Sequence, residues 1–289
     1  MRTTDWDGLI TAVSSIAHGG EDRGNLRTLR HEQMIGADGK PRLRPLISGN
    51  AIKGELRRIA ARLYQHQLVG DGKLPFRAVN ALRTGGMLTE TKTHKEVLTG
   101  ERQAVLRDTI PVLGVFGVSG GGRIMRGRLY VDKAVPLARE TAHLAPYYSL
   151  TPNAADLPAV QDLISEEFHA RHPDADTTRA TFDGETAADG NPMFWWTQTF
   201  CAGTQLMHAI RLEDATAVET AFFTDVLATF AHRGRVGGQQ SRGLGRTTAT
   251  YTATTTDSAG APADPEPANW RQHVTEHGAD LAVERLGWL

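Results

Sequence analysis

Gly237-Gly238-Gln239-Gln240-Ser241-Arg242-Gly243-Leu244-Gly245-Arg246 lies between a predicted helix over residues 218–230 and a predicted strand over residues 247–256. The helix is marked by Phe222, Phe223, Val226, Leu227 and Phe230 at helical spacing, the strand by its run of threonines. A dinucleotide fingerprint needs the opposite order, strand before the glycines and helix after. The order found here excludes that reading. Glycine lets a backbone turn tightly and approach a ligand. Arg233, Arg235, Arg242 and Arg246 accompany the glycines, with no acid between 233 and 246. Free N–H groups beside arginines suit a phosphate backbone.

A second segment, Ser48-Gly49-Asn50-Ala51-Ile52-Lys53-Gly54-Glu55-Leu56-Arg57-Arg58, has the same character at a predicted helix start. Ile52, Leu56, Ile59, Ala60 and Leu63 form one apolar stripe, and Lys53, Arg57, Arg58 and Arg62 occupy the other side. Ser48 or Asn50 caps the N-terminus, where free N–H groups favour an anion. Gly49 and Gly54 are expected to let a nucleic-acid strand come close.

Upstream, residues 8–18 read as a strand by alternation. Residues 69–110 read as an irregular insertion. Residues 111–116 and 128–135 read as short strands flanking the glycine run Gly120-Gly121-Gly122. Residues 139–191 hold prolines, acidic clusters and one expected helix marked by Leu157, Val160, Ile164 and Phe168. Residues 193–200 and 204–212 read as strands, the second alternating Leu206, His208, Ile210 and Leu212. Residues 259–268 read as a linker and 270–286 as a terminal helix. The order strand, helix, strands, insertion, strand, helix, glycine loop, strand predicts an α+β fold. It suits a ferredoxin-like or RRM-like sheet with helices on one face.

The chain has 289 residues and a net charge of −1, with 32 Lys and Arg against 33 Asp and Glu. That balance hides segregation. Residues 23–58 carry nine Lys and Arg against three acids, and residues 156–189 nine acids against two arginines. One basic and one acidic face follow. No run reaches the length of a membrane span and the N-terminus is no signal peptide, so no membrane partner is expected. Cys201 is the single cysteine, which excludes a disulfide framework and makes a cytoplasmic location the default.

Three motifs fail on their mechanics. Gly117…Gly122 imitates a phosphate-binding loop, but Arg123 stands in place of the lysine and Ile124 in place of the magnesium-binding hydroxyl. Arg123 and Arg126 remain candidates for phosphate contact. His273-Val-Thr-Glu276-His277 matches a zinc-peptidase pattern but lacks a third ligand within reach along its helix. No metal or cofactor is expected. His18, at the end of the first strand, is a candidate general base on a 2′-hydroxyl, yet has no partnering tyrosine or lysine nearby, so a hydrogen-bonding role is favoured. Trp195 and Trp196 read as one buried and one exposed strand residue.

These segments resemble the RAMP superfamily of CRISPR-associated proteins, specifically the backbone subunits that polymerise along guide RNA (the Cas-seven type). The matching pieces are residues 8–20, the helix start Pro45-Leu46-Ile47-Ser48-Gly49-Asn50-Ala51-Ile52-Lys53-Gly54, Phe116-Gly117 with Met125-Arg126-Gly127-Arg128-Leu129, and the loop 237–246. Leu29-Arg30-His31-Glu32 and Val115-Phe116-Gly117 look most similar to type IV or atypical type I subunits. The resemblance implies a modified RRM-like palm over residues 1–258. Insertions fall at about 67–110 and 139–192, the latter the thumb candidate, and the 259–268 linker and a 269–289 helix follow. It implies guide RNA (crRNA), target nucleic acid, other CRISPR effector subunits and further copies of the chain in a head-to-tail filament as partners. The RNA-binding set would be His18, Arg23, Arg27, Arg30, Ser48, Asn50, Lys53, Arg57, Arg58, Arg123, Arg126, Gly237, Gly238, Gln239, Arg242 and Arg246. Related type III subunits cut target RNA with an aspartate after the first strand. Here Leu26-Arg27-Thr28-Leu29-Arg30 offers no acid, so no catalytic residue is expected. The alternative is a RAMP endoribonuclease that processes precursor RNA with His18 as base.

Overall fold

A computed structural model describes residues 1–70, 72–86, 98–120, 123–171 and 193–289. Its first strand, β1 (Arg2–Ala12), has Trp6 and Ile10 buried on one face. Two hairpins follow, β2 (Gly19–Arg23) with β3 (Leu26–Leu29) and β4 (His31–Ile35) with β5 (Pro41–Pro45). Then comes α1 (Gly49–Val69), whose cap Ser48 accepts from the Ala51 N–H. Ile52, Leu56, Ile59 and Ala60 are buried, as the apolar stripe requires.

Helices α2 (Phe76–Thr84), α3 (Gly100–Thr109) and α4 (Pro111–Phe116) lead to the hairpin β6 (Gly117–Gly120) and β7 (Arg123–Arg126). Short strands β8 (Leu129–Val131) and β9 (Val135–Pro136) precede β10 (Ile164–Arg171), β11 (Met193–Phe200) and β12 (Gln205–Ala215). Helix α5 (Ala217–Arg233), β13 (Gly234–Arg235), β14 (Arg246–Thr256) and α6 (Trp270–Leu286) complete the chain.

The main sheet runs β13-β14-β1-β12-β8, with β9 also on β12. β1 pairs antiparallel with both β12 and β14, and β12 antiparallel with β8. With α1 after β1 and α5 after β12, this is the βαββαβ arrangement of a ferredoxin-like palm. Both helices cover one face. Trp6 meets Phe223 edge-on at 5.2 Å, and Phe222, Val226, Leu227 and Phe230 fill the same core. Thr216 and Glu219 form a capping box at the α5 start. A second sheet, β10-β11-β3-β2, lies beside the palm.

Four expectations need correction. The first strand ends at Ala12 rather than at residue 18, because past the Ala12–Thr247 pair the Val13 and Ser14 N–H groups both turn to the single Arg246 carbonyl and the regular ladder stops. Residues 111–116 are helix α4, not a strand. All six are buried, and an unbroken apolar run carries no period by which to tell helix from strand. The helix expected across Leu157–Phe168 is a 3-10 turn, Val160–Leu163, leading into β10. Cross-strand pairs Phe168↔Trp196 and His169↔Trp195 outweigh the accidental spacing. Within 69–110, expected to be irregular, stand two short helices: α2, only nine residues long, which buries Ala78, Ala81 and Leu82, and α3, which buries Leu106 and has little apolar spacing. Residues 87–97 and 172–192 of the two expected insertions, and Gly121 and Gly122, lie outside the described residues.

Candidate nucleic-acid interface

The two glycine-and-cation segments meet on a short piece of chain just past β1. The Gly238 N–H donates to the Ala17 carbonyl at 2.7 Å, and the Ser48 N–H donates to His18 Nε2 at 3.1 Å. Ser14 and Ser15 extend the contact: the Ser14 hydroxyl accepts from the Arg246 N–H at 3.0 Å, and the Ser15 carbonyl from Gly245 N–H at 2.8 Å. Residues 14–18 are thus a seam, with the glycine loop on one side and the α1 N-terminus on the other.

Glycine is required at this seam by geometry. Gly237 has φ 87°, and a Cβ there would lie 2.1 Å from the Ala17 carbonyl oxygen. A Gly237→Ala variant is expected to lose about 2 kcal/mol through left-handed strain and this clash. Thermal denaturation checks the loss, and an unchanged Tm would refute it. Gly49 has a different purpose from the one expected. A Cβ there would sit 2.2 Å from the Val131 carbonyl, so its bareness serves packing of α1 on β8 rather than access by a ligand.

His18 is half-buried and its pKa lies below the ordinary value, first through burial and then through nearby Arg30. The neutral ring is what the geometry demands, since Nε2 must keep its lone pair to accept from Ser48. Asn50 is exposed on the first turn of α1. Lys53 donates to the Leu129 carbonyl at 2.8 Å, and its pKa is lowered by burial, then by Arg57 and Arg126.

The other predicted cations divide. Arg57 is withdrawn from the surface: its guanidinium donates to the carbonyls of Leu82, Ala81 and Gly117, and burial pushes its pKa down to about 10. It is a structural clamp, and its inclusion among RNA ligands is corrected. Arg58 pairs with Glu55, Arg30 with Glu32, Arg27 with Asp22, and Arg23 loosely with Glu21. Arg126 lies over the Tyr130 ring and donates to its hydroxyl at 2.9 Å. Arg123 is exposed at the β6–β7 turn, where Gly120 packs on Leu289.

The glycine loop is a ridge between two open clefts. On one side, Gln239, Ser241 and Arg242 face Asp22, Arg27 and Trp195 across about 620 Å³. Gln239 is held in a left-handed conformation and its amide donates to the Thr197 hydroxyl at 3.1 Å. Arg242 lies 4.9 Å over the Trp195 ring, which also stacks on His169. Trp196 is exposed on the opposite face, beside Phe168 and Phe194. On the other side of the ridge, Arg235, Gln240 and Arg246 face Arg58 and Arg62 of α1 across about 820 Å³. Arg83 of α2 also lines this cleft. It falls in a stretch expected to be irregular, because α2 is only nine residues long.

The open face of the palm sheet is acidic. Asp5 of β1 and Asp132 both have raised pKa values, through burial first and through neighbouring carboxylates that include Asp7. RRM domains stack bases on aromatic residues of this face. Here the face carries Asp5, Asp7 and Asp132 instead, whose charge disfavours a polyanion.

No family model and no curated protein matches the sequence. A chain of a solved "Type IV-B CRISPR Complex" is similar to it, with 28% identity and a TM-score of 0.58, covering 93% of this chain and 96% of that one. The likeness agrees with the resemblance read from the sequence, including its type IV leaning.

Proposed function

We propose that the protein is a non-catalytic backbone subunit of a CRISPR effector complex that holds guide RNA by its sugar-phosphate chain without reading sequence. The observation that carries this reading is the seam, where Ala17 binds Gly238 and His18 binds Ser48. It places the glycine loop and the α1 N-terminus side by side, so one strand can cross both. The similar type IV-B chain supports membership of such a complex. Copies of the chain along the guide, other effector subunits and a target strand paired to the guide would be its partners.

Two details support the non-catalytic reading. His18 spends its Nε2 lone pair on the Ser48 N–H and cannot also take a proton from a 2′-hydroxyl. Asp22, the carboxylate nearest the cation-rich β3, is held by a bidentate bond to Arg27, which lowers its pKa. Purification from a host carrying the repeat array, followed by sequencing of bound RNA, tests the assignment. Guide-length repeat-derived RNA is expected, and its absence refutes it. An Asn50→Asp, Lys53→Gln double variant is expected to bind that RNA about tenfold more weakly with a shallower salt dependence. Metal-independent cutting of repeat RNA that is lost in His18→Ala would instead favour the processing endoribonuclease.

A further inference from the structure

The cleft between α1 and the glycine loop is strongly cationic, and the seam does not use it. Six arginines and His232 line it against one carboxylate, Glu55, which is already paired with Arg58. Arg235 leans on the Gln240 carbonyl at 3.4 Å. Among the described residues, the guanidinium groups of Arg62, Arg83, Arg233 and Arg246 have no hydrogen-bond or ion-pair partner. All four are exposed, and they come from four different elements: α1, α2, α5 and β14. Gathering unpaired like charges costs self-repulsion that an isolated chain gains nothing from. The chain as a whole has slightly more acids than bases, so the gathering is not a by-product of composition.

We infer that this cleft is a phosphodiester-binding groove in its own right, taking the backbone of a nucleic-acid strand on the side of the glycine loop away from Trp195. Three features favour phosphates over an acidic polypeptide. The cations are nearly all guanidinium groups, whose planar fork matches phosphate oxygens. Neutral donors, the Thr248 hydroxyl and the Gln240 amide, stand among them, as contacts to phosphate and sugar oxygens require. The cleft is open and shares the glycine ridge with the seam, so a strand can lie along it. No Phe, Tyr or Trp lines it, so its grip on the strand would come mainly from phosphate contacts rather than base stacking.

The inference does not depend on the guide assignment, and the test separates the two. A fluorescein-labelled oligouridylate is titrated with the full chain at several salt concentrations. The probes are wild type, the cleft variant Arg62→Glu/Arg83→Glu/Arg233→Glu, and the seam variant Asn50→Asp/Lys53→Gln. The cleft variant is expected to bind roughly 100-fold more weakly, with a salt slope lower by about 2 units, at about 0.7 per phosphate contact removed. Its exposed positions should leave Tm unchanged. Should that Tm fall, Arg62→Gln and Arg233→Gln singly are each expected to lower the slope by about 0.7 instead. An unchanged slope in every cleft variant overturns the inference. So does displacement of the oligouridylate by polyglutamate at matched charge, which would identify an acidic protein as the occupant. A seam variant that binds like wild type would count against the guide reading and leave the cleft standing.

Discussion

Replacing Arg57 by leucine is expected to cost about 4 kcal/mol of stability while leaving the RNA affinity of the folded fraction unchanged. The side chain leaves α1 sideways and closes two helix ends at once. Its Nε donates to the Leu82 carbonyl at 2.9 Å and its Nη2 to Ala81 at 3.0 Å and Gly117 at 2.8 Å. Ala81 and Leu82 lie near the end of α2, and Gly117 directly follows α4. The Ala81 carbonyl also accepts from the Gly85 N–H, but Leu82 stands in the last turn of α2, where carbonyls lack an intrahelical partner and carry the negative end of the dipole, so a planar cation there satisfies both. Each hydrogen bond to a charged group contributes about 1.5–3 kcal/mol, and the three are coupled, so their sum overstates the loss. Burial lowers the pKa to about 10, which still leaves the group charged at neutral pH. Lysine should not rescue, since one ammonium cannot reproduce a flat fork with three divergent acceptors. Urea denaturation of Arg57→Leu and Arg57→Lys measures this. A loss below about 1 kcal/mol in both would show that the carbonyls find other partners.

Arg57 also shows where sequence reading stops. The α1 helix was legible because its apolar stripe and its Ser48 cap are local features, and both are present. Helix α5, strands β12 and β14 and the terminal helix were legible for the same reason, and their order gave the palm. Which polar edge of α1 faces water is not local. Lys53 and Arg57 lie one turn apart and look toward β8 and α2, whereas Arg58 and Arg62 look into the open cleft. The four are alike in the sequence. Telling them apart needs the placement of α2 against α1, which a helix of nine residues does not encode locally. The candidate site behaves similarly. The glycine loop and the helix start were visible as separate motifs, but their junction is built by Ala17 and His18, through a backbone bridge and a ring nitrogen that no spacing encodes.

Acidification should unfold the protein through His208. This side chain is wholly buried in β12, where its place in an alternating apolar run disguised it. Its Nδ1 lies 2.8 Å from the Tyr251 hydroxyl on β14, reached across β1 at Gly8, which is the register partner of both. Burial pushes its pKa down to about 3 and pushes that of the Tyr251 hydroxyl up. An unfolded chain takes up the proton near 6.5 and the folded one only near 3, so the unfolded state binds more protons between these values. Stability is therefore full above 6.5 and falls as pH drops through that window, by about 1.4 kcal/mol per pH unit. At pH 5 the loss is about 2 kcal/mol. His18, also depressed, adds in the same direction but less, because it is only half-buried. Asp5 and Asp132, whose pKa values are raised, oppose it within the carboxylate range, where the folded state binds the extra protons. A His208→Gln variant keeps a hydrogen-bonding partner for Tyr251 and removes the titration. Urea denaturation at pH 7 and pH 5 should then show a gap between wild type and variant that shrinks by about 2 kcal/mol at the lower pH. A gap that stays constant would mean that His208 does not remain neutral in the folded protein.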